Sequence, residues 1–326
     1  MKNAFGLTIL LLLCWGCNST APSNLFIKLV RKANDPQEEK ITIGPYADAI
    51  MQVKEFAPVN VPVAGLPDAQ LTCYAPKEAS MTPLPMILFI HGGGWVSGSA
   101  RNVASYAKLI ASNGYLVANL EYALAPEFPY PAPVLQSVAC LDYLVAHAAA
   151  YHGDPTRFFI AGNSAGAQIA SQLGAMVSNP NLKQKVGVSC ALSPDHVKGV
   201  ILFNGVFNFA TAGETNFPGF AQFAWSYTGE KDYVNFARID ELSTVKNVTP
   251  AYPATFLTAG DADPLEPQTY ELDEALTAQQ VPVTRIYWTD TDAKLQHDYM
   301  YKLDTEAAQE VYQKLVAFLA DKAEGK

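Results

Sequence analysis

The chain has 326 residues, 49% of them apolar and 16% charged, which supplies a large core and excludes an extended disordered polymer. A formal net charge of −9 repels phosphate backbones, so no nucleic-acid partner is expected and a small neutral substrate suits the balance better. Of five cysteines, Cys14 and Cys17 belong to the N-terminal segment discussed next, and Cys73, Cys140 and Cys190 allow one disulfide at most. Each of these three sits in an apolar stretch where a buried thiol is expected, and no His-Cys cluster suggests a metal.

Lys2 precedes an apolar run over residues 5–15, broken by Gly6 and Thr8 and followed by Gly16-Cys17-Asn18. One positive charge before a core too short to span a bilayer is the pattern of an export signal, read here over residues 1–17. Gly16-Cys17 resembles the junction of bacterial lipoprotein signals, although Cys14 and Trp15 depart from that pattern. The resemblance implies lipid attachment at Cys17 and tethering of a periplasmic or membrane-anchored protein, with a cleaved, secreted chain as the alternative.

The remaining residues, 18–326, are read as a single α/β domain. Residues 18–80 read as irregular, because prolines at 36, 45, 58, 62, 67 and 76 prevent long helices, though short strands such as 70–74 can form. Residues 86–90 form a continuous apolar run, the mark of a strand buried on both faces. Then come a helix over 99–113, a strand over 115–122, a helix over 133–151 and a strand over 157–161. A helix over 165–178 and strands over 197–203 and 254–259 follow. A helix over 266–280, a strand over 283–288 and a closing amphipathic helix over 305–322 end the chain. This alternation predicts a mostly parallel sheet flanked by helices on both faces. Residues 205–250 interrupt it with many aromatics between Gly and Pro. They are read as a cap over an apolar site; additional core is the alternative.

Gly162-Asn163-Ser164-Ala165-Gly166 stands between the 157–161 strand and the 165–178 helix, the setting of a sharp turn that exposes a serine hydroxyl. The Ala165 amide, at the start of the helix, is then free to receive an oxyanion. His91-Gly92-Gly93-Gly94-Trp95 follows another buried strand, and its glycines leave backbone amides open for the other half of that function. An acid is expected after the 254–259 strand, where Asp261 and Asp263 compete. A base is expected after the last strand, where His297 lies. The order Ser164, acid, His297 distinguishes this arrangement from two serine protease types with the same geometry.

Together with Glu121-Tyr122-Ala123-Leu124-Ala125-Pro126-Glu127 and Gly260-Asp261-Ala262-Asp263-Pro264-Leu265, these motifs resemble the hormone-sensitive-lipase-like branch of the α/β-hydrolase esterases. Asp154-Pro155-Thr156-Arg157 adds to the likeness, which covers about residues 70–322. The resemblance implies the α/β-hydrolase fold, with a cap from the N-terminal segment, residues 18–65, and the insertion over 205–250. It selects Asp263 over Asp261 and assigns the oxyanion amides to Gly93, Gly94 and Ala165. It also implies a serine ester hydrolase that forms an acyl-enzyme on short-to-medium acyl esters, with no cofactor or metal. A carbohydrate deacetylase or peptidase on this scaffold is one alternative, and a non-catalytic binding protein is another. Two positions depart from the family pattern. Asn163 replaces a commoner Asp, and Asp298-Tyr299 stands after His297 where Gly-Phe is usual.

Overall fold

The computed structural model describes residues 22, 24–34, 41–78, 80–289 and 291–325, so the export signal read over 1–17, with Cys17, lies outside the described residues. In chain order these hold α1 (Asn24–Ala33), α2 (Gly44–Met51), β1 (Val53–Glu55), β2 (Val59–Val61), β3 (Ala69–Pro76) and β4 (Leu84–Ile90). Next are α3 (Ala104–Ala111), β5 (Leu116–Glu121), α4 (Ala132–His147), β6 (Gly153–Asn163), α5 (Ala165–Ser178) and α6 (Pro180–Val186). The chain continues through β7 (Val197–Phe203), α7 (Phe220–Thr228), α8 (Ile239–Leu242), β8 (Thr255–Thr258), α9 (Glu266–Ala278), β9 (Val283–Ile286) and α10 (Glu306–Ala323).

The strands form one sheet in the order β1-β3-β5-β4-β6-β7-β8-β9, with β2 paired to β3. Strands β5, β4, β6, β7, β8 and β9 run parallel, and the antiparallel pairings are confined to the β1–β3 end. Alternation along the strands explains the unbroken apolar runs. Met86, Leu88 and Ile90 face one hydrophobic cluster, whereas Ile87 and Phe89 face the other. The first cluster takes in α4 and α5, and the second takes in α3 and α10. The sheet is therefore packed with helices on both faces, as the alternation predicts.

The main difference from the sequence reading lies before β3. Helices of 10 and 8 residues form in the stretch read as irregular, the first free of proline and the second with one at its start. Pro45 sits in the first turn of α2, where its missing N–H breaks no helical bond. Phe26, Ile27 and Val30 pack α1 inward, and Phe26 meets Phe223 of the 205–250 insertion with ring centroids 5.6 Å apart. The insertion itself is divided. Phe207, Phe209 and Tyr227 are fully buried, and Tyr227 stacks on Trp95 at 4.7 Å. Cys73, Cys140 and Cys190 are all free thiols; the first two are buried and Cys190 is half-buried.

Candidate active site

Strand β6 ends at Asn163 and α5 begins at Ala165, so Ser164 alone makes the turn, with φ 54° and ψ −121°. That conformation costs a residue with a Cβ on the order of 1–3 kcal/mol, and rigid flanks have to impose it. The flanks do so. Every residue of α5 is buried, and the Ser164 amide donates to the Phe203 carbonyl of β7 at 2.8 Å. Gly166 lets α5 approach β4 so closely that a Cβ there would run into the carbonyl oxygens of Ile90 and His91.

Three separate loops at the carboxyl edge of the sheet converge here. The Ser164 hydroxyl lies 2.9 Å from His297 Nε2, and His297 Nδ1 lies 2.8 Å from Asp263 Oδ2. In the neutral ring, Nδ1–H donates to the carboxylate and Nε2 accepts the serine hydroxyl. Asp263 Oδ1 accepts the Leu265 amide at 2.9 Å, and Oδ2 also accepts from the Asn204 side chain. Asp261, the competing acid, instead accepts the amides of Lys294 at 3.0 Å and Leu295 at 2.7 Å. It shapes the loop that carries His297 without reaching the ring.

Gly93 and Gly94 both have positive φ, at 119° and 61°. The Gly93 carbonyl is held by the Ser97 amide at 3.0 Å and the Ser97 hydroxyl at 2.8 Å, which fixes the loop. Among the described residues, no acceptor takes the amides of Gly93, Gly94 or Ala165. His91 serves the same loop: its ring stacks on Tyr122 at 4.3 Å and its Nδ1 meets the Gly92 carbonyl at 2.7 Å. Burial pushes the titration of His91 down, against the pull of Glu121 and the Gly92 carbonyl. Around the serine, Phe217 presents its edge to the His297 ring at 5.2 Å, and Phe223 lies against Gly94.

Burial disfavours the charged form of His297, yet the carboxylates of Asp298 and Asp263 outweigh it and raise the ring from 6.5 to about 9. Asp298 itself is raised above the usual carboxylate range, chiefly by burial, with His297 and the Asn163 hydrogen bond opposing. Sequence reasoning missed Asn204 as a partner of Asp263, and Phe217 and Phe223 as site neighbours. The position of Asn204 directly after a buried strand, level with the serine turn, was the available signal.

A family model described as BD-FAE matches residues 71–276. Versiconal hemiacetal acetate esterase of Dothistroma septosporum is 28% identical over 211 residues, 61% of this chain and 63% of that protein. Carboxylesterase NlhH of Mycobacterium tuberculosis is 37% identical over 122 residues, 36% of this chain and 38% of its own. The chain thus spans 63% and 38% of the length of these curated relatives. Among solved structures, esterase B of Lactobacillus rhamnosis superposes with TM-score 0.73 at 22% identity, covering 90% of each chain. A bacterial heroin esterase gives 0.71 at 23% identity, covering 84% of this chain and 86% of that one, and these likenesses establish the α/β-hydrolase fold. The family match covers well over half of the sequence and contains both the glycine loop and the serine turn, so the chain belongs to the BD-FAE family.

Proposed function

We propose that the protein is a serine carboxylic-ester hydrolase that cleaves short-to-medium acyl esters through an acyl-enzyme. One observation carries the proposal: the Ser164 hydroxyl stands 2.9 Å from an imidazole whose other nitrogen is 2.8 Å from a buried carboxylate. The names of the relatives, esterases and a carboxylesterase, support it.

In this reading Ser164 Oγ bonds to the ester carbonyl carbon as its proton passes to His297 Nε2. The carbonyl electrons move onto oxygen, and the amides of Gly93, Gly94 and Ala165 receive the oxyanion, each worth about 3 kcal/mol in comparable sites. On collapse the alkoxide leaves with the proton from Nε2. Water then attacks the acyl-serine, with His297 again taking the proton, and Ser164 is restored. Asp263 keeps the ring in the useful tautomer and stabilises its cation. The Phe217 and Phe223 rings beside the serine support a preference for short acyl groups. The apolar run over 5–15 and Gly16-Cys17 support export with a lipid on Cys17.

The test is a series of p-nitrophenyl esters from acetate to palmitate, measured with the parent and with Ser164→Ala. Turnover should peak at short chains and fall on the order of a million-fold in the variant. A folded Ser164→Ala that keeps most of its activity would refute the assignment. Faster turnover of acetylated xylan or of an aminoacyl amide than of any simple ester would move the substrate class.

A further inference from the structure

We propose that Asp298 is a positioning residue for the reaction proposed above. Asn163 ties it to the oxyanion loop and sets its carboxylate beside the serine-facing nitrogen of His297. The inference rests on that functional reading and goes beyond it, since a triad needs one carboxylate and this site holds two.

Asp298 has φ 59° and ψ 27°, a left-handed conformation that favours glycine. The chain nevertheless keeps a charged side chain there, and that side chain is engaged. Both its oxygens lie 3.1 Å from Asn163 Nδ2, and Asn163 Oδ1 accepts the Gly92 amide at 2.9 Å. One side-chain amide therefore links the loop after β4, the serine turn and the histidine loop. The two departures from the family pattern, Asn163 and Asp298, are thus a hydrogen-bonded pair. Asp298 Oδ2 also stands 3.9 Å from His297 Nε2, on the opposite side of the ring from Asp263.

The charged groups facing the imidazole are Asp263, from the loop after β8, and Asp298. The serine turn contributes Ser164 and the insertion contributes Phe217, neither of them charged. When Nε2 takes the serine proton, the new cation lies between two carboxylates. Asp298 takes no proton. It acts through His297 by favouring the charged ring, in line with the raised titration of that residue. The consequence is a base strengthened at the cost of a more alkaline working range.

Asp298→Asn removes the charge and keeps an oxygen for Asn163, and Asp298→Glu keeps the charge. The experiment follows His297 by NMR titration of its ring and, in parallel, the pH profile of kcat/KM on p-nitrophenyl butyrate. A carboxylate within 4–6 Å shifts such a group by about 1–3 pH units. In Asp298→Asn both the ring titration and the acid limb should therefore move down by about one unit or more. Asp298→Glu should return both toward the parent. A folded Asp298→Asn with neither midpoint moved, or an Asp298→Glu shifted as far as Asp298→Asn, overturns the proposal. If the ring titration moves as expected but no Ser164-dependent ester turnover exists, the electrostatic role stands and the esterase reading fails.

Discussion

Asp263→Asn is the sharpest probe of the site, because the surroundings dictate how the new amide would sit. Oδ1 accepts the Leu265 backbone N–H at 2.9 Å, so the carbonyl oxygen of the introduced amide takes that place. The NH2 group then occupies the Oδ2 position, where the parent carboxylate receives His297 Nδ1 at 2.8 Å and the Asn204 amide. A donor there faces two donors. The imidazole escapes by carrying its proton on Nε2, and it can then no longer accept the Ser164 hydroxyl 2.9 Å away. A wrong tautomer of this kind costs about ten-thousand-fold in kcat, about 5.5 kcal/mol. The unpaired Asn204 amide adds a stability loss of about 1–3 kcal/mol, visible in a thermal melt. The assay is kcat and kcat/KM on p-nitrophenyl butyrate for parent, Asp263→Asn and Asp261→Asn, each checked by circular dichroism. Asp261 holds the amides of Lys294 and Leu295 and the Thr291 hydroxyl and does not touch the ring, so its variant should lose less than about tenfold. A folded Asp263→Asn with more than a tenth of parent activity, or equal losses in the two variants, would refute this account of the acid.

The raised titration of His297 makes two further predictions. In the proposed mechanism the neutral ring is the base, so kcat/KM should fall as pH drops below about 9, and an optimum near neutrality would contradict the assigned environment. For stability the sign is fixed by linkage. The folded value lies above the ordinary 6.5, so the charged ring stabilises the fold fully below 6.5 and this contribution is lost as pH rises through about 9. The Tm difference between parent and His297→Gln should therefore narrow between about pH 6 and about pH 10; a constant difference would count against it. Lipid attachment is read out by feeding labelled palmitate to a bacterium expressing the full chain. Parent protein should take up label and Cys17→Ala should not; label that persists in the variant rules the tether out.

The candidate site was legible because its residues sit where buried strands stop. Continuous apolar runs before His91, Ser164 and Asp261 locate three strand ends, and parallel packing brings such ends to one edge whatever their separation along the chain. The choice between Asp261 and Asp263 was not legible from composition, since both lie in one short turn and both accept hydrogen bonds. The family resemblance selects Asp263, and the geometry agrees: Asp261 holds the amides of Lys294 and Leu295, and Asp263 holds the ring. Helices α1 and α2 escaped notice because their prolines fall at helix starts or outside them. The position of α1 depends on long-range contacts that no local pattern contains, such as Arg31 donating to the Val96 and Ala125 carbonyls and pairing with Glu127. The 205–250 aromatics illustrate the same limit. Composition marks them as apolar but cannot separate Tyr227, stacked in the core, from Phe217 at the histidine.

Two hydrogen-bonded paths cross the carboxyl edge of this sheet, and their arrangement explains why a strained serine is worth keeping. One runs from Asn204 through Asp263 and His297 to Ser164 and sets the direction of proton movement. The other runs from Gly92 through Asn163 to Asp298 and sets where the oxyanion loop stands. Asn163 and Ser164 are adjacent in a turn whose backbone has no slack. A backbone shift of the turn away from His297 would therefore also strain the 2.9 Å bond from Gly92 to Asn163, which ties the turn to the glycine loop. In the proposed mechanism the serine turn and the amides that receive the oxyanion are thus tied by one hydrogen-bonded link. Electrostatic stabilisation of a tetrahedral oxyanion depends on donors already in place when charge develops. The cost of the Ser164 backbone is thus offset by a fixed distance between the attacking oxygen and the amides that receive the product of its attack.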